Sequence, residues 1–209
     1  GTNHPVYFLG GLAAGSTATI DAVTATSTVS YRVDGGLAGT LKVRGGLSRR
    51  IDVTGGVSGA LELDHADITA TAGPCLKIDT VSATGSVAVS GGALFGSSNS
   101  VYFTGNVDAG AKVMLTGAAV TCTANAVVFF AADLAGAFTV SGGSIVGPGG
   151  KAMHASGTVS GAVTMSNVVA SSAIAGAVYF AVLTGKASFL GCKVTGFQYA
   201  VDFAAATGA

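Results

Sequence analysis

The sequence of 209 residues has little charge and few of the residues that mark cross-linked or catalytic proteins. It contains ten basic and ten acidic residues, three cysteines, three prolines and no tryptophan. Charged residues make up 10% of the chain, whereas about a quarter is usual for a soluble domain. The net charge is zero and no basic stripe is present, so we expect no nucleic-acid binding.

Long apolar runs are missing as well. Although 49% of the residues are hydrophobic, Gly, Ser and Thr interrupt every apolar stretch before it reaches the roughly 18 residues of a membrane helix. We therefore expect no insertion into a membrane. No segment has the apolar spacing of an amphipathic helix, and the prevalence of Thr, Val, Ser and Gly favours strands and turns.

A short unit returns nine times along the chain, with a variable residue between two outer residues that are mostly apolar. Successive units start 20 to 26 residues apart, a period typical of stacked repeats that bury their apolar faces against their neighbours. Alternation with a period of two predicts strands. The units are Val6–Phe8, Tyr31–Val33, Ile51–Val53, Leu76–Ile78, Val101–Phe103, Val127–Phe129, Met153–Ala155, Val178–Phe180 and Val201–Phe203.

Each repeat contains two further apolar segments at nearly constant distances from the first. The second segment also alternates, and it predicts an inward column that includes Val87, Val113, Phe138 and Val163. Gly, Asn and Asp are frequent directly after this segment. These residues tolerate left-handed backbone, so we predict a tight corner there. A third short strand then has one inward aliphatic residue. These residues are Leu47, Ile68, Leu94, Val120, Ile145, Val169 and Val194.

A glycine occupies the same place in seven repeats, shortly before the second segment. We expect these glycines to have a conformational role, with positive φ, rather than to line a ligand site. The glycines are Gly39, Gly59, Gly85, Gly110, Gly136, Gly161 and Gly185.

Three short strands per repeat, joined by corners and without helices, predict an all-β fold. We expect a right-handed parallel β-helix of about nine turns with no substantial helix, because right-handed coiling is the rule for such connections. The repeats cover residues 1–209, which predicts a single domain. Because the last repeat has only its first strand, we expect either a piece of a longer chain or ends that neighbours in an assembly cover.

On these repeats the chain resembles the single-stranded right-handed β-helices of the pectin-lyase type. That group includes polysaccharide-processing enzymes, bacterial surface adhesins, and bacteriophage tailspikes, fibres and capsid-decorating proteins. The resemblance covers the whole chain and rests on repeat geometry rather than on a catalytic motif. It implies the fold and leaves these functional classes open.

Carboxylates are the first candidates for chemistry, because glycoside hydrolysis needs two at a set separation. The best pair is Asp34 and Asp79, which both follow a first strand, with Asp52 between them. Two turns of the solenoid separate the pair by about 10 Å, which is too wide for a retaining enzyme and at the limit for an inverting one. We therefore predict solvent-exposed charges near basic neighbours, no catalytic residue and no enzymatic activity.

Histidines and cysteines also lie far apart in the repeats. His4, His65 and His154 belong to widely separated turns, so we expect no shared metal site and no cofactor. The three cysteines occupy different positions of their repeats, and an odd number cannot pair completely within one chain.

Charge is concentrated in the early turns. Twelve of the twenty charged residues lie between Arg32 and Asp79, and only seven follow Val81. We expect the outward column of the first strands to change from charged residues to Tyr102, Val128, His154 and Tyr179. An apolar outer surface marks an interaction site. The candidate contacts with other subunits, or with a surface glycan, are Tyr102, Met114, Val128 and Tyr179.

The sequence therefore favours a non-enzymatic structural module of an oligomeric or filamentous assembly. We expect a virion component such as a tailspike or fibre shaft or a capsid decoration, in an extracellular or virion location. A homo-oligomer is expected, with a trimer favoured, because such rods can associate side by side. A bacterial adhesin stalk and a carbohydrate lyase or hydrolase are the alternatives.

Overall fold

The computed structural model describes residues 6–25 and 29–206, which form a parallel β-solenoid. The described residues contain strands in three parallel sheets and no helix. Each complete turn contributes one strand to each sheet, and each strand between the two ends of a sheet pairs in parallel with the equivalent strands of the turns before and after it. The predicted all-β solenoid with three short strands per turn is confirmed.

The strands fall into a first, a second and a third sheet, named in the order in which each turn visits them. The first sheet consists of β1 (Val6–Phe8), β3 (Tyr31–Val33), β6 (Ile51–Val53), β9 (Leu76–Ile78), β12 (Val101–Phe103), β15 (Val128–Phe130), β18 (Met153–Val159), β21 (Val178–Leu183) and β24 (Val201–Ala206). The second sheet consists of β2 (Thr17–Asp21), β4 (Thr40–Arg44), β7 (Ala60–Asp64), β10 (Ser86–Ser90), β13 (Lys112–Thr116), β16 (Ala137–Ser141), β19 (Ala162–Ser166) and β22 (Lys186–Leu190). The third sheet consists of β5 (Leu47–Ser48), β8 (Asp67–Thr69), β11 (Ala93–Gly96), β14 (Ala119–Cys122), β17 (Ser144–Gly147), β20 (Val169–Ser172) and β23 (Lys193–Thr195).

The number of turns is about eight rather than the predicted nine. The nine strands of the first sheet bound eight intervals, and the described chain has seven strands in the third sheet. The prediction of nine turns takes each first strand as a complete turn and is therefore too high by one. The right-handed coil and the single domain stay predictions.

The core consists of inward columns in which each side chain contacts its equivalent in the next turn. Val87 pairs with Val113, Val113 with Phe138, and Phe138 with Val163, and all four side chains are buried, as predicted. Phe130 joins the sheets, because its ring packs against the Phe138 ring in a T-shaped arrangement with a centroid distance of 5.2 Å. Apolar burial along these columns is the main favourable contribution to folding.

The register of β15 differs from the prediction by one residue. The sequence favours a strand at Val127–Phe129, but the structure places it at Val128–Phe130. Val128 and Phe130 point inward and Phe129 points outward, because Val128 pairs with Val101 and Phe129 with Tyr102. A slip of one residue exchanges the two faces of a strand. The unbroken apolar run at this point left no alternation to specify the face.

The predicted inward residue is also wrong by one position in two strands of the third sheet, β5 and β20. Leu47 and Val169 are 46% and 44% exposed, whereas Ser48 and Ala170 are buried in the predicted inward column. The Ser48 hydroxyl donates a hydrogen bond to the Tyr31 hydroxyl over 3.2 Å, which satisfies this buried polar group. The predictions for Leu47 and Val169 are wrong because the next residue in each strand, which is smaller, points inward and the aliphatic residue points outward.

The glycine column has a different cause from the one expected. Of its seven members only Gly110 has positive φ, at 97°. At Gly59 and Gly161 a side chain would meet a backbone oxygen of the preceding turn, at 2.1 and 1.9 Å from the added carbon. Close approach of stacked backbones therefore excludes a side chain. Left-handed backbone occurs instead at the corners, where His65 and Asn167 have φ of 50° and 54°, as predicted.

Candidate functional site

The predicted carboxylate pair lies in a network of structural contacts. Asp34 accepts hydrogen bonds from Arg32 Nε at 2.7 Å, from the Thr54 hydroxyl at 2.8 Å and from the Tyr7 hydroxyl. These donors, Arg32 first, lower the pKa of Asp34 to about 2. The carboxylate is therefore a stable anion at neutral pH, which suits an ion pair better than a proton donor.

The two other acids of this face also have local partners. Asp52 is buried and accepts a hydrogen bond from Arg50 Nε at 2.7 Å. Asp79 is exposed and accepts one from the Thr104 hydroxyl at 3.0 Å, one turn above it. The strand β6 separates Asp34 from Asp79, so the structure keeps them two strand spacings apart. Asp34, Asp52 and Asp79 therefore accept hydrogen bonds from different residues.

The two described histidines, His65 and His154, lie in different turns of the solenoid. His4 lies outside the described residues, and His65 lies at an exposed corner with its Nδ1 2.6 Å from Asp64 Oδ1. Among residues 6–25 and 29–206 no group of three or more His, Cys, Asp or Glu side chains could hold a metal ion.

The three cysteines are free thiols. Burial raises the pKa of Cys75 to about 12 and that of Cys122 to about 11. A buried thiol with a raised pKa forms little of the nucleophilic thiolate. Cys75 and Cys122 therefore behave as small packing residues.

The most distinctive outward feature is a row of four half-buried rings, the aromatic stripe, formed by Tyr102, Phe129, His154 and Tyr179. Each is the second residue of its strand, in β12, β15, β18 and β21, and they pair in register, so they project from the same face of the first sheet. Tyr102 and Phe129 stack with centroids 5.3 Å apart and planes 14° apart. His154 lies 5.0 Å from Phe129 and 4.8 Å from Tyr179.

The rings of the stripe bury one another. The stacked face of Phe129 is turned toward Tyr102, and Tyr179 meets His154 edge to face. Lys151 Nζ lies 5.0 Å from the centroid of the Tyr179 ring, a cation–π distance. Burial, with a smaller contribution from Lys151, lowers the pKa of His154 to about 4. His154 is therefore neutral at pH 7.

A groove with a volume of about 490 Å³ runs beside the stripe. Phe129 and His154 form one side, and the loops that lead from the third sheet into the first form the other. We call it the loop groove. The loop residues that line it include Asn125, Lys151 and Ile174. With Asn99, which also lines it, the groove combines apolar surface, two amides and one cationic side chain.

The predicted contact residues divide into three locations. Tyr102 and Tyr179 belong to the aromatic stripe, and Met114 lies 39% exposed on the second sheet, away from the stripe. Val128 is 0% exposed, so its place among the outward residues is wrong; the outward residue is Phe129. The signal for Phe129 was in the sequence, because Val128-Phe129-Phe130 repeats the pattern of a valine and two aromatic residues at Val101–Phe103 and Val178–Phe180.

The same outward column has a charged lower half. Arg32, Asp52 and Lys77 precede Tyr102 in the ladder, and Asp52 pairs in register with both neighbours. The predicted change from charged residues to Tyr102, His154 and Tyr179 is therefore present, with Phe129 in the place predicted for Val128.

None of the described residues forms a helix long and apolar enough to cross a membrane. No protein-family model, no curated protein and no solved structure matches the chain.

Proposed function

We propose that this protein is a non-enzymatic structural module, a rigid β-solenoid that serves as a subunit of an oligomeric or filamentous assembly. The observation that carries the proposal is the aromatic stripe on the charge-poor half of the first sheet. Aromatic residues are enriched at protein interfaces, and charged residues are depleted at interface cores. The proposal extends to a virion component in an extracellular setting, which rests on the likeness of the repeats alone.

Rigidity is the mechanical part of this function. Each inner strand is hydrogen-bonded to the strands above and below it, so a load along the rod acts on many backbone bonds at once. Stacked rings such as Phe103 and Phe130, with centroids 4.7 Å apart, reinforce the same direction. A rod of this kind transmits force and holds a fixed spacing between partners.

Ring orientation supports a protein partner over a sugar. A sugar stacks on an open ring face. One face of Phe129 is stacked on Tyr102, and the ring of His154 packs against Phe129 on the other side with an angle of 44° between the ring planes. The stripe therefore offers ring edges and a shallow apolar ridge. Such a ridge fits between the side chains of another subunit.

Light scattering on the chain at micromolar concentration tests the proposal. We expect an oligomer for the unmodified protein and a shift toward monomer for the double variant Tyr102→Lys, Tyr179→Lys. The matched control is Thr139→Lys, Thr164→Lys, which adds the same charge to outward positions of the second sheet. Circular dichroism and thermal melting verify that both variants fold. A stable, soluble monomer of the unmodified chain would defeat the proposal.

A further inference from the structure

The loops at the two edges of the first sheet carry charges of opposite sign. Because its strands are parallel, every loop that enters the sheet lies at one edge and every loop that leaves it lies at the other. We call these the entering edge and the leaving edge. All charged residues in the entering loops are basic, namely Arg49, Arg50 and Lys151. All charged residues in the leaving loops are acidic, namely Asp34, Asp79, Asp108 and Asp133.

Internal ion pairs neutralise only part of these two sets. Arg50 is paired with Asp52, and Asp34 with Arg32. In the described part of the chain no ion pair involves the remaining edge residues. These are Arg49 and Lys151 on the entering edge, and Asp79, Asp108 and Asp133 on the leaving edge.

We infer that the entering edge of one copy of this chain docks on the leaving edge of a second copy. In this contact Lys151 and the loop groove receive Asp133 and the leaving loop that contains it. The inference rests on the proposed function and names its partner, a second copy in parallel orientation. Because the two surfaces differ, the contact is heterologous and continues into a ring or a filament.

The heights of the charges along the rod favour this arrangement. Lys151 lies where the chain enters β18, and Asp133 lies where it leaves β15, the adjacent strand of the sheet. Their levels differ by one strand spacing, about 4.8 Å, which the flexible stem of a lysine can span. Two parallel copies at nearly the same height can therefore bring the charges together.

The groove also suits a carboxylate. The edges of aromatic rings carry partial positive charge, and the groove is bounded by Phe129 and His154. Lys151 supplies a full positive charge there, and exposed Asn125 supplies an amide. Asp133 is exposed, and its Oδ1 accepts a hydrogen bond from the Thr158 backbone N–H at 2.7 Å. That bond positions the carboxylate and leaves Oδ2 for a partner.

A charge exchange tests the inference. Lys151→Glu and Asp133→Lys should each weaken association at least about tenfold at low salt, because like charges then meet across the contact. The double variant Lys151→Glu, Asp133→Lys should recover most of the association. A mixture of the two single variants should also associate, since each contact between unlike variants is matched. The measurement is the dissociation constant from sedimentation or light scattering.

Two controls separate docking from folding and from net charge. Lys193→Glu makes the same charge change on the third sheet, away from both edges, and should leave association unchanged. Asp133→Asn keeps an oxygen that can accept the bond from Thr158 but removes the charge, so it should weaken association without lowering the melting temperature. Raising the salt concentration should weaken association of the unmodified protein and shrink the effect of each variant.

The outcomes are distinguishable. An oligomer that is indifferent to Lys151→Glu and Asp133→Lys, or as sensitive to Lys193→Glu, would overturn the edge-to-edge contact and leave the proposed function standing. Loss of association in both single variants without recovery in the double variant would also overturn it. A monomeric unmodified chain would overturn the proposed function together with the inference.

Discussion

The replacement Phe138→Ala is the most direct test of the inward columns. Phe138 is 0% exposed, lies between Val113 and Val163 in the second-sheet column, and packs in a T-shaped arrangement with Phe130, with ring centroids 5.2 Å apart. Removing the ring leaves a cavity that the neighbouring turns cannot close, because their backbones are tied into continuous ladders. Loss of a buried phenylalanine then costs about 3–5 kcal/mol of the free energy of unfolding.

The assay is equilibrium unfolding in urea, followed by circular dichroism because the chain has no tryptophan. The midpoint should fall while the slope stays unchanged, which marks a loss of stability without a change in the surface exposed on unfolding. Thr139→Ala is the matched control, because the adjacent residue points outward in the same strand and should change stability by less than about 0.5 kcal/mol.

A loss below about 1 kcal/mol for Phe138→Ala would refute the column, since a side chain buried on all sides costs more than that. A loss of the same size for Thr139→Ala would show that the strand tolerates no change, whichever face is altered. The register argument would then have no support from stability.

Three further predictions address the glycines, the stripe and the thiols. Gly161→Ala should destabilise the protein by about 1–3 kcal/mol through overpacking, whereas Gly10→Ala, where nothing lies within 4 Å, should not; equal melting temperatures would contradict the close-approach argument. The pKa of His154 is about 4 in the folded state and 6.5 as its ordinary value, so the unfolded chain binds the proton more readily. Stability should therefore fall as the pH is lowered from about 6.5 to about 4, and His154→Gln should flatten this part of the urea-midpoint profile. Under native conditions a thiol reagent should label the half-buried Cys192 before the buried Cys75, and mass spectrometry showing the reverse order would contradict the burial.

The fold class followed from the sequence because its signal is repeated in every turn. Alternating apolar residues at a constant period specify strands and their stacking, and errors in single units do not alter the pattern. Phe138 and Val163 were assigned correctly because a polar residue, Thr139 or Thr164, follows each of them before the next large apolar residue. The outward tyrosines of the stripe followed from the same alternation.

Only the tertiary structure decided the faces of strands whose sequence does not alternate. Val128 lies in an apolar run, so either register satisfies the period, and stacking on Val101 chooses the inward one. Ser48 and Ala170 point inward because they stack on the buried Ile68 and Ile145 of adjacent turns. This stacking decides the register although Leu47 and Val169 are larger and more apolar.

The distances between turns were likewise beyond the sequence. Gly161 is required because the backbone of the preceding turn approaches closely, and that approach depends on how two distant segments pack rather than on local φ preferences. Asp34 bonds Tyr7 and Thr54, which lie 27 and 20 residues away along the chain. Whether a carboxylate is free for chemistry or held in a network depends on neighbours that only the stacked turns bring together. The opposite charges of the two sheet edges arise in the same way, since loops far apart in the sequence share an edge only because their strands are parallel.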